Sequence, residues 1–284
     1  MPKRNNKEAN DAVELLWGEP SGPKPGPKPA LSLDRVVRSA IAVADEQGLT
    51  GLSMRKIAEP LGFTTMSLYR HVPGREQLID LMCDAVLEEC AELPPRGTWR
   101  EQLERSARAR WELHKRHPWL AQIRGTRRVP GPNSVAHYEH VLRILAETGL
   151  RPAQVIAAAA LLGRFVEAEA LAGLEAVRAE QSSGLSEEEW WGERGTLFAR
   201  MDRYPTLSAL WRAGGFDRPE DSFEFGLARV LDGIEVLIER DEIRDEIAKC
   251  EVCGGPVERS HSGRPRAYCS RACQQRAYRR RKAR

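Results

Sequence analysis

Four cysteines near the C-terminus have the residue type and spacing of a metal site. Cys250 and Cys253 are separated by two residues, fifteen residues follow, and Cys269 and Cys273 form a second close pair. Two close pairs of thiolates joined by a loop of this length are typical of structural zinc sites. A closed site of four cysteines leaves no open position for a substrate. The sequence therefore predicts one structural zinc ion and no zinc-dependent catalysis.

Short local elements must bring the two cysteine pairs together. Gly254 and Gly255 allow the tight turn that directs backbone amides at the first pair, and Ser270 is suited to cap a helix that begins at the second pair. A module of about 35 residues buries too little surface to fold alone, so zinc would supply its stability. The alternatives are a disordered tail with unpaired thiols, or His261 as a substitute ligand.

A basic run accompanies the second cysteine pair. Residues 259–284 contain ten Lys and Arg and no Asp or Glu, so the net charge of +3 combines +10 here with −7 over residues 1–258. Residues 276–284 carry six of these positive charges. Such a run is suited to contact DNA phosphates without reading the base sequence. The alternative is that it only keeps the C-terminus soluble.

Composition and motifs exclude several classes of protein. Of the 284 residues 41% are hydrophobic, enough for a sizeable core, and no run approaches the roughly 18 apolar residues of a membrane span. The first ten residues lack the apolar segment of a secretory signal, so we expect a cytoplasmic protein without a membrane partner. The sequence contains no glycine-rich phosphate loop, nucleophile elbow or His-Glu-x-x-His motif. We therefore expect that the protein is not an enzyme.

Hydrophobic periodicity predicts an all-α fold. From Leu31 to about residue 247 apolar residues recur with the period of helices, and no convincing strand alternation interrupts them. The Pro/Gly/Lys-rich segment 18–30 holds neither helix nor sheet, and a frayed helix is the most that residues 1–17 would form. We expect a disordered arm and linker at 1–30, a helix-turn-helix domain at 31–93, a helical ligand-binding and dimerisation domain at 94–247 and the zinc module at 248–284.

Two long helices should build the body. Small and apolar residues from about Pro152 to Glu180 favour close helix packing, and a second helix should run from about Glu220 to Ile247. Thr98 with Glu101 and Ser186 with Glu189 have the spacing of capping boxes. The apolar stripe of the second long helix contains Phe223, Leu227, Val230, Leu231, Ile234, Leu237 and Ile238.

Residues 31–93 predict a compact three-helix reading domain. The first helix spans about 33–46, and the second begins after a Ser53 cap and ends near Leu61. Gly62 supplies a tight turn, and a short polar helix follows at about 64–71. This arrangement places a recognition helix in the major groove of DNA.

The segment GLSMRKIAEPLGFTTMSLYRHVPGREQLIDLM, residues 51–82, resembles the DNA-binding segment of the TetR family of repressors. The segment FGLARVLDGIEVLI, residues 225–238, is more weakly similar to the C-terminal domain of the tetracycline-repressor branch. The resemblance implies a transcriptional regulator that binds a double-stranded DNA operator as a homodimer through its two C-terminal long helices. It also implies a small-molecule inducer bound inside the body, which releases a repressor from its operator.

The resemblance and the helical pattern together predict the DNA-contacting residues. Leu68 should face inward and hold the recognition helix. Tyr69 and His71 match family positions that contact phosphate, although packing or simple solvent exposure is their alternative role. Further phosphate contacts are predicted at Arg75, a base or phosphate contact at Arg55, and base-edge contacts at Thr65, Ser67 and Arg70, with Met66 against a thymine methyl.

The inducer cannot be named from the sequence. Aromatic and histidine residues of the body are candidates to line its cavity, because ligand cavities are mostly apolar with a few placed polar groups. Their alternative role is ordinary core packing. The candidates retained are Trp111, His114, His137 and Phe165. The rival function is a zinc-dependent nucleic-acid interaction protein in which the basic tail is the main functional surface.

Overall fold

The protein is almost entirely helical in the computed structural model. The structure describes residues 6–18, 31–90, 95–123, 128–198, 200–217, 220–247, 250–255, 257 and 267–282. Every regular element in these ranges is a helix, which confirms the all-α prediction. No helix of this part of the chain is long and apolar enough to cross a membrane. Residues 19–30 of the predicted linker, His261 and Arg284 lie outside the described residues.

The helices are numbered in chain order. They are α1 Asn6–Trp17, α2 Leu33–Gly51, α3 Met54–Leu61, α4 Thr65–Tyr69, α5 Arg75–Leu87, α6 Trp99–Arg116, α7 Pro132–Ala146, α8 Pro152–Ser183, α9 Glu187–Gly192, α10 Gly195–Phe198, α11 Pro205–Arg212, α12 Ser222–Ile247 and α13 Arg271–Lys282. Short 3-10 turns lie at Glu88–Cys90, Pro118–Gln122 and Met201–Arg203.

Helices α2 to α5 form the predicted reading domain. Ser32, Ser53 and Thr64 each accept a hydrogen bond from the third backbone N–H of the helix that they cap, so α2, α3 and α4 all begin at side-chain caps. Gly48 has a φ of 67° and bends α2 near its C-terminal end. Gly62 ends α3 with a φ of 74°, a left-handed conformation that favours glycine and turns the chain into α4.

Helix α1 lies in the segment 1–17, for which we expected at most a frayed helix within a disordered arm. Leu15 and Leu16 pack against the core of the reading domain. The indole N–H of Trp17 donates a 2.9 Å hydrogen bond to the carbonyl of Pro130. Packing of these apolar residues against the reading domain stabilises the short helix. The sequence pattern alone does not reveal this packing partner.

Helices α6, α7, α8 and α12 enclose the core of the body. Phe223, Leu227, Leu231, Ile234 and Ile238 of α12 are all buried against this core within the same chain. The predicted apolar stripe of α12 thus packs inside its own subunit.

Residues of the body complete the hydrophobic core of the reading domain. Leu113 of α6 and Trp119 of the following turn are buried with α2 to α5. Asp45 of α2 accepts hydrogen bonds from the Trp119 indole at 2.6 Å and from Nδ1 of His117 at 2.7 Å. These contacts join α2 directly to the body.

Candidate DNA interface, effector cavity and cysteine cluster

A single buried apolar side chain of the recognition helix α4 packs it against the rest of the reading domain. Leu68 is fully buried in the core of the reading domain, as predicted, and Val72 beyond the end of α4 is fully buried too. Thr64 caps the helix through the backbone N–H of Ser67. One face of this short helix is fixed, so its other faces are presented at the surface.

The predicted DNA-contacting residues lie at the surface, on α3, on α4 and the two residues after it, and at the start of α5. Met66 is 71% exposed and Tyr69 is 47% exposed. Thr65, Ser67 and His71 are half-buried, whereas Arg55, Arg70 and Arg75 are exposed.

Two of the arginines on this surface have partners in the protein. Arg75 donates a hydrogen bond to the carbonyl of Leu49 at 2.5 Å, which ties the start of α5 to the end of α2. Arg70 lies 3.4 Å from the hydroxyl of Ser67, one turn earlier. A guanidinium has more N–H groups than these contacts use, so both side chains keep donors for DNA.

Two adjoining cavities lie in the body where α5, α6, α7 and α8 meet. Their volumes are about 520 and 390 Å³, within the range of small-molecule sites. The residues that line both are Leu87, Arg110, Ser134, Arg164 and Glu167. Asp80 and Cys83 of α5 line the larger cavity, so the helix that follows the recognition helix forms part of its wall.

Two of the candidate ligand residues, His114 and His137, line these cavities. His114 of α6 lines the larger volume and His137 of α7 the smaller. Burial, reinforced by the charge of Arg110, lowers the pKa of each imidazole to about 4. Both rings are therefore neutral at pH 7, and each retains one donor and one acceptor nitrogen.

Trp111 and Phe165, the other two candidate ligand residues, lie elsewhere in the body. Both rings stack on Phe223 of α12, with centroid distances of 4.6 and 5.7 Å. Neither residue lines the two cavities. Aromatic content selected these residues, but their packing partner on a distant helix could not be read from local sequence.

The four tail cysteines converge. Their sulfur atoms all lie within 4.8 Å of one another. The sulfurs of Cys253, Cys269 and Cys273 are separated by 3.4, 3.5 and 3.7 Å. Four sulfurs at a zinc–sulfur distance of about 2.3 Å in a tetrahedron would be about 3.8 Å apart. The geometry therefore fits a small tetrahedral thiolate site.

Local structure assembles this cluster as the sequence predicted. The hydroxyl of Ser270 accepts a hydrogen bond from the backbone N–H of Cys273 in the first turn of α13. Backbone N–H groups, first that of Cys269, lower the pKa of Cys250 to about 6. Hydrogen bonds with the other thiols, first that of Cys253, raise the pKa of Cys269 to about 12. Metal binding requires thiolates, so it would release the protons that these sulfurs hold.

Comparison with known proteins accounts for the reading domain and the body. The model of the tetR family of bacterial regulatory proteins matches residues 36–82, and that of the tetracyclin repressor-like C-terminal domain matches residues 92–238. The HTH-type transcriptional repressor DrrR1 of Streptomyces coeruleorubidus is 41% identical over 232 residues, which cover 80% of this chain and 85% of DrrR1. The chain belongs to the TetR family.

Solved structures agree with this assignment. ActR of Streptomyces coelicolor without ligand is 31% identical with a TM-score of 0.60, covering 75% of this chain and 98% of ActR. ActR in complex with actinorhodin is 30% identical with a TM-score of 0.61, covering 74% and 97%. The predicted identity as a DNA-binding regulator is confirmed, and the family is one of transcriptional regulators. The cysteine cluster lies outside both matched ranges.

Proposed function

We propose that this TetR-family protein is a repressor that binds a near-palindromic operator as a homodimer and leaves it when a small molecule fills the cavities of the body. The position of α5 carries this proposal. Asp80, Cys83 and Leu87 of α5 line the larger cavity, and only residues 70–74 separate α5 from the recognition helix. An occupant of the cavity therefore contacts the helix that holds the reading surface.

The exposed surface of α3, α4 and α5 would contact the operator. Thr65, Ser67 and Arg70 would reach base edges, with Met66 against a thymine methyl. Phosphate contacts would position these side chains without adding sequence preference. The phosphate-contacting residues are Tyr69, His71 and Arg75, and Arg55 would contact a base or a phosphate.

Release requires the effector to prefer the conformation that does not bind DNA. A hundredfold loss of operator affinity corresponds to a coupling free energy of about 2.7 kcal/mol. Two contacts between the body and the reading domain would take part in this change. They are the Asp45–Trp119 hydrogen bond and the ion pair between Arg128 and Asp80 at 2.5 Å. Movement of α5 would change the angle between the two reading domains of a dimer, whose two half-sites must be occupied together.

The known ligand of a structural relative is consistent with a small-molecule effector. ActR has been crystallised with actinorhodin, and DrrR1 is described as a repressor. In this chain the cavities adjoin α5, the helix that follows α4. This combination favours repression relieved by a ligand over a regulator without an effector.

Selection of DNA fragments by the purified full-length protein tests the operator proposal. Enriched fragments should contain a near-palindromic site, and Arg70→Ala should change the enriched sequence. Arg178→Ala, at an exposed position of α8, is the matched control and should leave it unchanged. Fragments without any shared sequence would contradict the proposal.

We further propose that Cys250, Cys253, Cys269 and Cys273 hold one structural zinc ion. The sulfur separations and the absence of an open ligand position favour a structural role. The helix that follows exposes Arg276, Arg279 and Arg280. These side chains would add affinity for DNA phosphate to the specificity of the reading domain.

The rival function is a nucleic-acid module in which the tail is the main functional surface. Deletion of residues 250–284 separates the two. If the reading domain provides specificity, the shortened protein keeps its preferred DNA sequence with weaker affinity. Loss of all sequence preference on deletion would favour the rival.

A further inference from the structure

Arg110 is a cationic residue that the two cavities share. It projects from α6 and lines both volumes. No described residue forms a hydrogen bond or an ion pair with its guanidinium, although Glu167 interacts with it through charge at longer range. Burial lowers the pKa of Arg110. Burying a guanidinium whose N–H donors lack partners lowers the stability of the folded protein. Such a cost is expected for a residue that is kept for ligand binding.

The two cavity histidines are a second and independent observation. His114 is 5% exposed, and neither ring nitrogen has a hydrogen-bond partner. Nδ1 of His137 is also buried without a partner. His114 follows Arg110 by four residues on α6, so the two side chains share one face of the helix. Buried polar atoms in native proteins are normally paired, so these three nitrogens beside one cavity system are available to bind a polar group of a ligand.

The described charged groups of the cavities leave one positive charge. Arg128 is neutralised by Asp80 at 2.5 Å. Glu167 and the exposed Arg164 carry opposite charges and line both volumes. Arg110, Arg164 and Glu167 together leave one positive charge, because the neighbouring histidines are neutral at pH 7.

Most of the remaining lining is apolar. Carbon surfaces from α6, α7 and α8 dominate the smaller volume, and the turn after α6 supplies more to the larger one. These residues include Ala107, Val141, Leu162, Val166, Leu120 and Ile123. A ligand that fits must therefore be mostly apolar with its polar groups at the Arg110 end.

We propose that the effector class is a mostly apolar small molecule with one carboxylate, and that the guanidinium of Arg110 binds this carboxylate. The ring N–H of His114 or His137 then donates to a second oxygen of the ligand. This inference rests on the proposed function only in calling the ligand an effector. The anion site itself is a property of the protein without DNA.

Calorimetric titration of the full-length protein with 2-naphthoate tests the site, with 2-naphthamide as the neutral isostere. The wild type should bind naphthoate about tenfold or more tightly than naphthamide, because a charged hydrogen bond is lost with the amide. Arg110→Met should remove this preference, and Arg110→Lys should restore part of it. Arg178→Met, at an exposed position remote from the cavity lining, should behave as the wild type. Equal binding of the two probes by the wild type, or binding of neither, overturns the proposal.

Thermal unfolding without ligand gives a second readout. Replacing an unpaired, desolvated guanidinium by the apolar Met side chain should raise the unfolding temperature or leave it unchanged. A marked fall for Arg110→Met would show that Arg110 is a structural residue, and the proposal would be wrong.

Failure of the two proposals can be told apart. Naphthoate binding that depends on Arg110 in a protein without any preferred DNA sequence would retain the anion site and reject the operator function. A selected operator with no Arg110-dependent carboxylate preference would reject the anion site alone.

Discussion

Asp84 Oδ1 on α5 accepts a 2.8 Å hydrogen bond from the backbone N–H of Ser134 in the first turn of α7. The second carboxylate oxygen lies 3.3 Å from the backbone nitrogen of Asn133, and the Asn133 side chain donates to the Asp84 carbonyl. An acidic side chain stabilises a helix N-terminus because the first N–H groups have no partner within the helix. This contact joins the helix that follows the recognition helix to the body beside the cavities.

Asp84→Ala should lower the free energy of unfolding by about 1–3 kcal/mol, because two partly buried N–H groups lose their acceptor. Asp84→Asn keeps one acceptor oxygen and should lose less. Gly131→Ala should also destabilise the protein, since its Cβ would lie 2.3 Å from Cγ of Asp84. Urea unfolding measures these changes, and the exposed Glu88→Ala is the control. An Asp84→Ala protein as stable as wild type would contradict this role.

Local signals allowed much of the fold to be predicted. The capping boxes are confirmed: Thr98 N donates to Glu101 at 2.7 Å, and Ser186 N donates to Glu189 at 2.9 Å. Such caps need only residues three positions apart. The cysteine cluster was predictable for the same reason, because spacing alone identifies the two pairs.

The effector cavity could not be predicted in the same way. Arg110 lies on a helix with many charged residues, and its lack of a partner depends on how α7 and α8 pack around it. Its position four residues before His114 was the only available signal. Asp84 was missed as well, since its acceptor role depends on the N-terminus of α7, where Ser134 lies 50 residues later in the chain.

Substitutions on the reading surface should separate specificity from affinity. Arg70→Ala or Thr65→Ala should alter base preference, with about 1–3 kcal/mol of discrimination at the contacted base pair. Tyr69→Phe should weaken binding to all sequences about equally. Arg75→Ala should also destabilise the reading domain, because Arg75 binds the carbonyl of Leu49. Selected sites that are identical for wild type, Thr65→Ala, Ser67→Ala and Arg70→Ala would show that the reading face is assigned to the wrong residues.

Charged substitutions on α12 should distinguish dimerisation from folding. Phe225 and Val236 are 51% and 43% exposed and lie three helical turns apart on one face, so Phe225→Glu and Val236→Glu should give folded monomers. Ile234 is 3% exposed in its own subunit, so Ile234→Glu should unfold the body instead. Sedimentation velocity at micromolar concentration and circular dichroism separate these outcomes. Val13→Glu on α1 is the control, and a wild-type monomer would contradict the homodimer.

Stability should fall as the pH is lowered from about 6.5 to 4. The pKa of His114 and of His137 is about 4 in the folded protein but has its ordinary value of 6.5 when unfolded, so the unfolded chain takes up protons first. A shift of this size corresponds to roughly 3 kcal/mol per histidine. His114→Leu should flatten the pH dependence of the unfolding free energy. Equal pH dependence in wild type and His114→Leu would mean that His114 is protonated freely in the folded state.

Metal analysis of the purified protein should give one zinc ion per chain, lost in the double variant Cys250→Ser with Cys269→Ser. Cys83→Ser is the control, because burial raises the pKa of Cys83 to about 12 and this thiol lies apart from the cluster.

Removal of residues 276–284 should make the salt dependence of DNA binding shallower, because fewer phosphate counterions are released. The preferred DNA sequence should not change. Full-length protein without zinc would refute the metal site, and an unchanged salt slope would independently refute the phosphate contact, leaving the basic run as a solubilising end.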